Sequence, residues 1–133
     1  MTHNYYLYND PAMGKLRWIV WDNNEALNDN RRAIPLAMNT TGTDWPLIYY
    51  LINNSDYEEI YKAYVKSFAN STFATSRMSA IYSAQQSLIS ASAAKEETGY
   101  THISGGIGGF NSAVSSLNSH NSTRVSAANA YAP

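Results

Sequence analysis

The rhythm of hydrophobic and polar positions changes twice along the chain. Tyr5-Tyr6-Leu7-Tyr8 is an aromatic run, and Lys15-Leu16-Arg17-Trp18-Ile19-Val20-Trp21 is a second apolar run with β-branched and aromatic residues. Between them Asn9-Asp10-Pro11-Ala12-Met13-Gly14 offers residues that favour turns, so the pattern predicts a β-hairpin with Asp22 at the end of its second strand. Asn23 to Gly42 mixes Asn, Arg, Pro and Thr without a sustained period and reads as a long irregular connection. Helical periodicity begins at Trp45. Ser55 and Glu58 have capping-box spacing, and Tyr57, Ile60, Tyr61, Tyr64, Val65 and Phe68 recur at i, i+3, i+4, i+7, i+8 and i+11. A further helix opens at Thr72-Phe73, carries Met78, Ile81, Tyr82, Leu88 and Ile89 on one face, and stops at Glu96-Glu97-Thr98-Gly99. Phe110, Val114, Leu117, Val125, Ala128 and Tyr131 mark a last helical stripe, weakened by the polar run Asn118 to Thr123.

These elements predict an α+β chain, an N-terminal hairpin followed by a bundle of three or four helices. A hairpin and loop over 1–44 and a helical part over 45–133 are the expected divisions. A single apolar stripe must be buried against another element, which places Tyr57, Ile60, Tyr64, Phe68, Ile81, Leu88, Val114 and Leu117 in one expected core.

Composition refines this picture. Only 14% of the 133 residues are charged, and 9 Lys+Arg against 10 Asp+Glu leave a net charge of −1, without the basic footprint of a phosphate-backbone binder. Nucleic acid is therefore not an expected partner. The absence of cysteine excludes a disulfide framework, a thiolate metal site and a Cys nucleophile. No apolar run approaches the roughly 20 residues that span a bilayer, and MTHNYYLY lacks the pattern of a secretory signal. The fourteen Ser from residue 71 onward do not make that half a linker, because apolar residues keep helical spacing among them.

Few constellations carry chemistry. Ser104-Gly105-Gly106-Ile107-Gly108-Gly109-Phe110 invites a phosphate-loop reading, but Asn111 stands where the dinucleotide motif wants glycine and no G-K-[ST] follows, so the stretch reads as a connection between helices. His3, His102 and His120 lie in unrelated segments without a ligand partner at helical spacing. No G-x-S-x-G elbow positions any of the serines. What remains is Asn4, a hairpin, then Asp22. In protein kinases a catalytic-loop Asn and a metal-binding Asp stand at the two ends of a short hairpin and give oxygen to the Mg²⁺ that bridges the nucleotide phosphates. Asn and Asp are also ordinary turn residues, so the spacing alone is compatible with a purely structural role.

The residues themselves go further. His3 to Leu27, HNYYLYNDPAMGKLRWIVWDNNEAL, resembles the signature of the spore-coat protein H (CotH) kinase-like family, in which an H-N-Y-Y-L-Y strand and a strand ending W-D are joined by a turn containing G-K. Pro46-Leu47-Ile48-Tyr49-Tyr50-Leu51 is similar to the family's helix after the active-site loop, and Asp56-Tyr57-Glu58-Glu59-Ile60-Tyr61 to its next helical segment. Phe73 with the helix behind it matches the element that follows.

The resemblance implies the C-lobe part of an atypical protein-kinase-like fold, an enzyme that phosphorylates Ser of coat or other secreted proteins with ATP and a divalent metal such as Mg²⁺, at the spore coat, the cell surface or outside the cell. It assigns the metal to Asn4 and Asp22. Two positions depart from the family pattern. Asn24 replaces a common acid two residues after Asp22, and the catalytic Asp, five positions before the metal-binding Asn, would fall ahead of Met1 together with the ATP-pairing Lys. The expectation is thus less than half of a kinase-like domain, inactive alone. A non-catalytic helical interaction module of an envelope or coat assembly is the alternative.

Overall fold

A computed structural model describes residues 5–23, 26–27, 35–39, 42, 44–96 and 99–133. Two strands, β1 (Tyr5–Asp10) and β2 (Lys15–Val20), precede four helices: α1 (Pro46–Ile52), α2 (Ser55–Asn70), α3 (Thr75–Ala93) and α4 (Gly106–Tyr131). The chain is α+β, as its patterning predicts. No helix among the described residues is long and apolar enough to cross a membrane.

Local chemistry sets the helix ends. Pro46 opens α1, where its missing N–H costs no hydrogen bond. The cap of α2 lies one residue earlier than the Ser55–Glu58 spacing predicts: Asn54 Oδ1 accepts from the Asp56 and Tyr57 amides at 3.1 and 3.3 Å, and Ser55 is already helical. Gly105, with φ of 75°, turns the chain into α4, whose first residues are Gly106 to Gly109. The glycine stretch is a connection only as far as Gly105. A Cβ on Gly109 would collide with the Ser104 carbonyl oxygen, so the entry to this helix requires glycine there.

The helices pack in sequence order around α4, which lies against both α3 and α2, while α1 lies on α2. The expected core is corrected here. Val114 and Leu117 are half-buried, but Tyr57, Ile60, Tyr64, Phe68, Ile81 and Leu88 are exposed, Tyr64 at 73% and Leu88 at 76%. The buried apolar residues are Ile52, Tyr82 and four alanines, Ala69, Ala93, Ala128 and Ala132. The stripe on α2 is wider than one neighbour covers. Its Tyr61-Val65-Ala69 edge meets Ala128 and Arg124 of α4 around a concavity of about 260 Å³. There two small residues let the backbones approach. The other edge, Tyr57, Ile60 and Tyr64, faces Ile48, Ile52 and Met38 across an apolar concavity of about 380 Å³. On α3 the covered residues are Met78, Ser79, Tyr82, Gln86 and Ala93, whereas Ile81 and Leu88 are exposed.

The polar run Asn118 to Thr123, expected to weaken the last helix, lies within one continuous α4 of 26 residues. Asn121 is fully buried, and its Nδ2 donates to the Phe73 carbonyl at 2.9 Å, between α2 and α3. His120 is buried beside it in the chain. Asn70 Nδ2 donates to Asn129 Oδ1 at 2.8 Å, and Gln86 Nε2 to the Phe110 and Asn111 carbonyls at 3.0 and 3.3 Å. Amide side chains thus replace much of the apolar burial that would otherwise fix α4.

At the end of α4 the Tyr131 hydroxyl donates to Glu58 Oε1 at 3.4 Å, and Lys62 Nζ reaches the same oxygen at 2.9 Å while lying 5.3 Å from the Tyr131 ring centre. The Lys62 hydrogen bond holds the Glu58 carboxyl below its ordinary value; burial pushes the Tyr131 phenol up, and Glu58 and Tyr61 add to that shift.

Two outcomes are expected. Asn121→Ala removes a buried donor and should cost about 1–3 kcal/mol in chemical denaturation, whereas Ile60→Ala, on a side chain 53% exposed, should cost less than about 1 kcal/mol. Secondly, the clasp between α2 and α4 should be bounded by pH on both sides. Glu58 is depressed, so its contribution is present above the ordinary carboxylate range and is lost as pH falls through its lowered folded value. Tyr131 is raised, so its contribution is present below about 10 and is lost as pH rises beyond that. Ring and carboxyl NMR titrations of Tyr131 and Glu58 check both signs.

Candidate functional site

The hairpin is held in register by its own turn. Asp10 Oδ1 accepts from the Ala12 amide at 3.0 Å, the Asp10 carbonyl accepts from Gly14 N at 2.9 Å, and Gly14 adopts a φ of 60° that favours glycine. Arg17 Nε donates to Asp10 Oδ2 at 2.6 Å. Asp10 is therefore occupied with structure. Pairing runs from Asp10–Lys15 at the turn to Tyr5–Val20 at the open end, so the strand pattern extends two residues beyond the aromatic run Tyr5–Tyr8.

Two aromatic contacts fix that open end. Tyr5 and Trp18 stack at 4.0 Å, and Trp45, the N-cap residue just before α1, lies 5.8 Å from Tyr5 and 6.5 Å from Trp18. This cluster joins the hairpin to the helices. On the opposite face Tyr6 meets Trp21 edge-on at 6.1 Å, holding the chain as it leaves β2. The next residue is Asp22, exposed and with a φ of 53°. Asp enters the left-handed region more readily than most residues, and here it turns the chain sharply at the hairpin's open end.

Asn4, the other expected metal ligand, lies outside the described residues, as do Asn24 and most of the irregular connection between 23 and 42. Of the histidines, His102 is exposed before α4, His120 is buried within it, and His3 is outside the described residues. Among the described residues no group of three or more His, Cys, Asp or Glu side chains could hold a metal. Asp22 alone supplies one hard carboxylate. A single carboxylate is compatible with Mg²⁺, which is commonly bound through one or two carboxylates with water and substrate phosphates, and does not by itself make a site.

The apolar concavity between α1 and α2 is a feature that sequence reading assigned to the core. Its signal was the width of the α2 stripe, which is broader than a single partner helix can cover.

Comparison with known proteins places this geometry. No curated protein and no solved structure matches the chain. A family model described as "CotH kinase protein" matches residues 1–127, which includes the hairpin, Asp22 and all but the last turn of α4, and the chain therefore belongs to the CotH kinase protein family.

Proposed function

We propose that this chain contributes the metal-holding, C-lobe part of an atypical kinase that phosphorylates Ser of coat or secreted proteins with ATP and a divalent metal. Residues 1–44 form its metal-site segment and 45–133 its helical support. The observation that carries this reading is Asp22, set on a left-handed turn where β2 ends, within the segment that the family model covers.

The chain's own residues would act as follows. The hairpin register and the Tyr5–Trp18–Trp45 cluster fix the height of Asp22 above the helices, and the Tyr6–Trp21 contact fixes the direction of approach. Asp22 would supply carboxylate oxygen, and Asn4, as the family resemblance implies, a neutral amide oxygen. Asp22 and Asn4 would hold a divalent metal such as Mg²⁺, which when bound would supply charge neutralisation for phosphoryl transfer. Transfer also needs a base at the acceptor hydroxyl and a Lys on the phosphates, and the family resemblance assigns neither role to a residue of 1–133. The role proposed for residues 1–133 is therefore to hold the metal rather than to catalyse transfer. The alternative, a non-catalytic interaction module, draws support from the exposed Trp18 and Trp21.

Titrating the 133-residue chain with Mn²⁺ as a paramagnetic stand-in for Mg²⁺ should broaden amide resonances centred on residue 22. Asp22→Ala should weaken that binding at least tenfold, a fold-change of about 1.4 kcal/mol, while Asp56→Ala leaves it unchanged. With Mg²⁺ and labelled ATP, no phosphate should reach a Ser-containing protein. Transfer abolished by Asp22→Ala would overturn the division of labour; broadening centred elsewhere would overturn the assignment of Asp22.

A further inference from the structure

The chain carries four sequons of the form N-x-[ST], at Asn39, Asn53, Asn70 and Asn121, each an acceptor pattern for asparagine-linked sugar. An oligosaccharide is bulky and hydrophilic, and it belongs at a protein surface. Asn39, Asn53 and Asn70 meet that condition, because each is exposed. Asn121 does not. It is fully buried in the interior of α4, with its Nδ2 donating to the Phe73 carbonyl at 2.9 Å.

The chemistry of transfer makes this difference decisive. Asn Nδ2 forms a bond to C1 of the sugar, the bond from C1 to a lipid diphosphate breaks, the diphosphate departs, and one Nδ2 proton passes to a base of the transferase. Asn121 Nδ2 has a second hydrogen that a sugar could replace. The new C–N bond, however, would set the sugar carbon roughly 1.45 Å from a nitrogen on a residue without any surface open to solvent. The packing of α4 against α2 and α3 has to open to admit it. The rest of the sequon is closed as well: Thr123 Oγ1 donates to the Ser119 carbonyl at 2.9 Å, and all three sequon residues are helical. In the unfolded chain none of these obstacles exists.

We propose that oligosaccharide transfer to Asn121 and the docking of α4 exclude each other, so that Asn121 is an acceptor only before the chain folds and a sugar there blocks native packing. The co-reactant is a lipid-diphosphate oligosaccharide. Native chains therefore form ahead of transfer or where that donor is lacking. This inference is independent of the metal assignment at Asp22.

The 133-residue chain behind a cleavable secretion signal, translated in the presence of endoplasmic reticulum microsomes, provides the test. Glycopeptide mass spectrometry should find sugar on Asn121, and the chains that carry it should be degraded by a protease that spares the native protein. Thr123→Ala removes the acceptor pattern while keeping Asn121 and its hydrogen bond, and it should raise the protease-resistant fraction several-fold. Ser55→Ala and Thr72→Ala, which remove the exposed sequons at Asn53 and Asn70, should change that fraction by less than about twofold. The already folded chain, given to solubilised transferase with the lipid-linked donor, should take no sugar at Asn121. Equal helical circular dichroism of Thr123→Ala and the unaltered chain, both made without the transferase, is the folding control. A protease-resistant chain with sugar on Asn121, transfer to Asn121 in the folded chain, no sugar there after microsomal translation, or no gain from Thr123→Ala would each overturn the proposal.

Discussion

The helical part depends on how α4 lies against two neighbours at once. At about 39 Å, a 26-residue helix is long enough to touch α2 along one side and α3 along another. Against α2 it does so beside small residues and amides, and against α3 with Phe110, Val114 and Leu117 beside Tyr82 and Ile89. Ala69 and Ala128 line one concavity from opposite helices, and Asn121 is buried with its amide on the Phe73 carbonyl. Burying a polar side chain is favourable only when its hydrogen bond is made, so this packing is sensitive to register. A shift of α4 by one residue would leave the Asn121 amide buried without its acceptor. Helix placement here is specified by hydrogen bonds more than by apolar volume.

The hairpin relies on a different device. It buries no core of its own, and its connection to the helices runs through the stack of Tyr5 and Trp18 beside Trp45. Because Trp45 is also the residue from which α1 departs, one aromatic cluster sets both the hairpin's position and the start of the helical part. Asp22 lies two residues beyond β2, and the hairpin position therefore governs where its carboxylate is presented. The same thin attachment leaves all six residues of β2 exposed.

The aromatic composition serves both devices. Tyr61 sends its hydroxyl to the Leu36 carbonyl at 3.2 Å and its ring to within 6.0 Å of Tyr131, so one residue joins α2 to the preceding segment and to α4. A phenol placed this way contributes apolar area and a hydrogen bond together. This suits a chain with few charged residues and no disulfides.

By itself the sequence determined the elements and their order. The turn residues Asn9 to Gly14 and the period of Tyr57, Ile60, Tyr61, Tyr64 and Val65 encode local geometry, and local geometry depends on near neighbours in the chain. The Asp22 position was legible for the same reason, through its place at a strand end and the family resemblance of His3 to Leu27. Which edge of a stripe is buried was not legible. The α2 stripe spans more of the helix than α4 covers, and only the close approach allowed by Ala69 and Ala128 decided that Tyr61 and Val65 face α4 while Tyr64 faces water. The run Asn118 to Thr123 reads as a weak point because propensity scales count polar residues against a helix interior. Tertiary structure changed its meaning, because the Phe73 carbonyl, 48 residues away in sequence, accepts from the buried Asn121 Nδ2 and ties the middle of α4 to the α2–α3 connection, although Asn121 Oδ1 is buried without a partner.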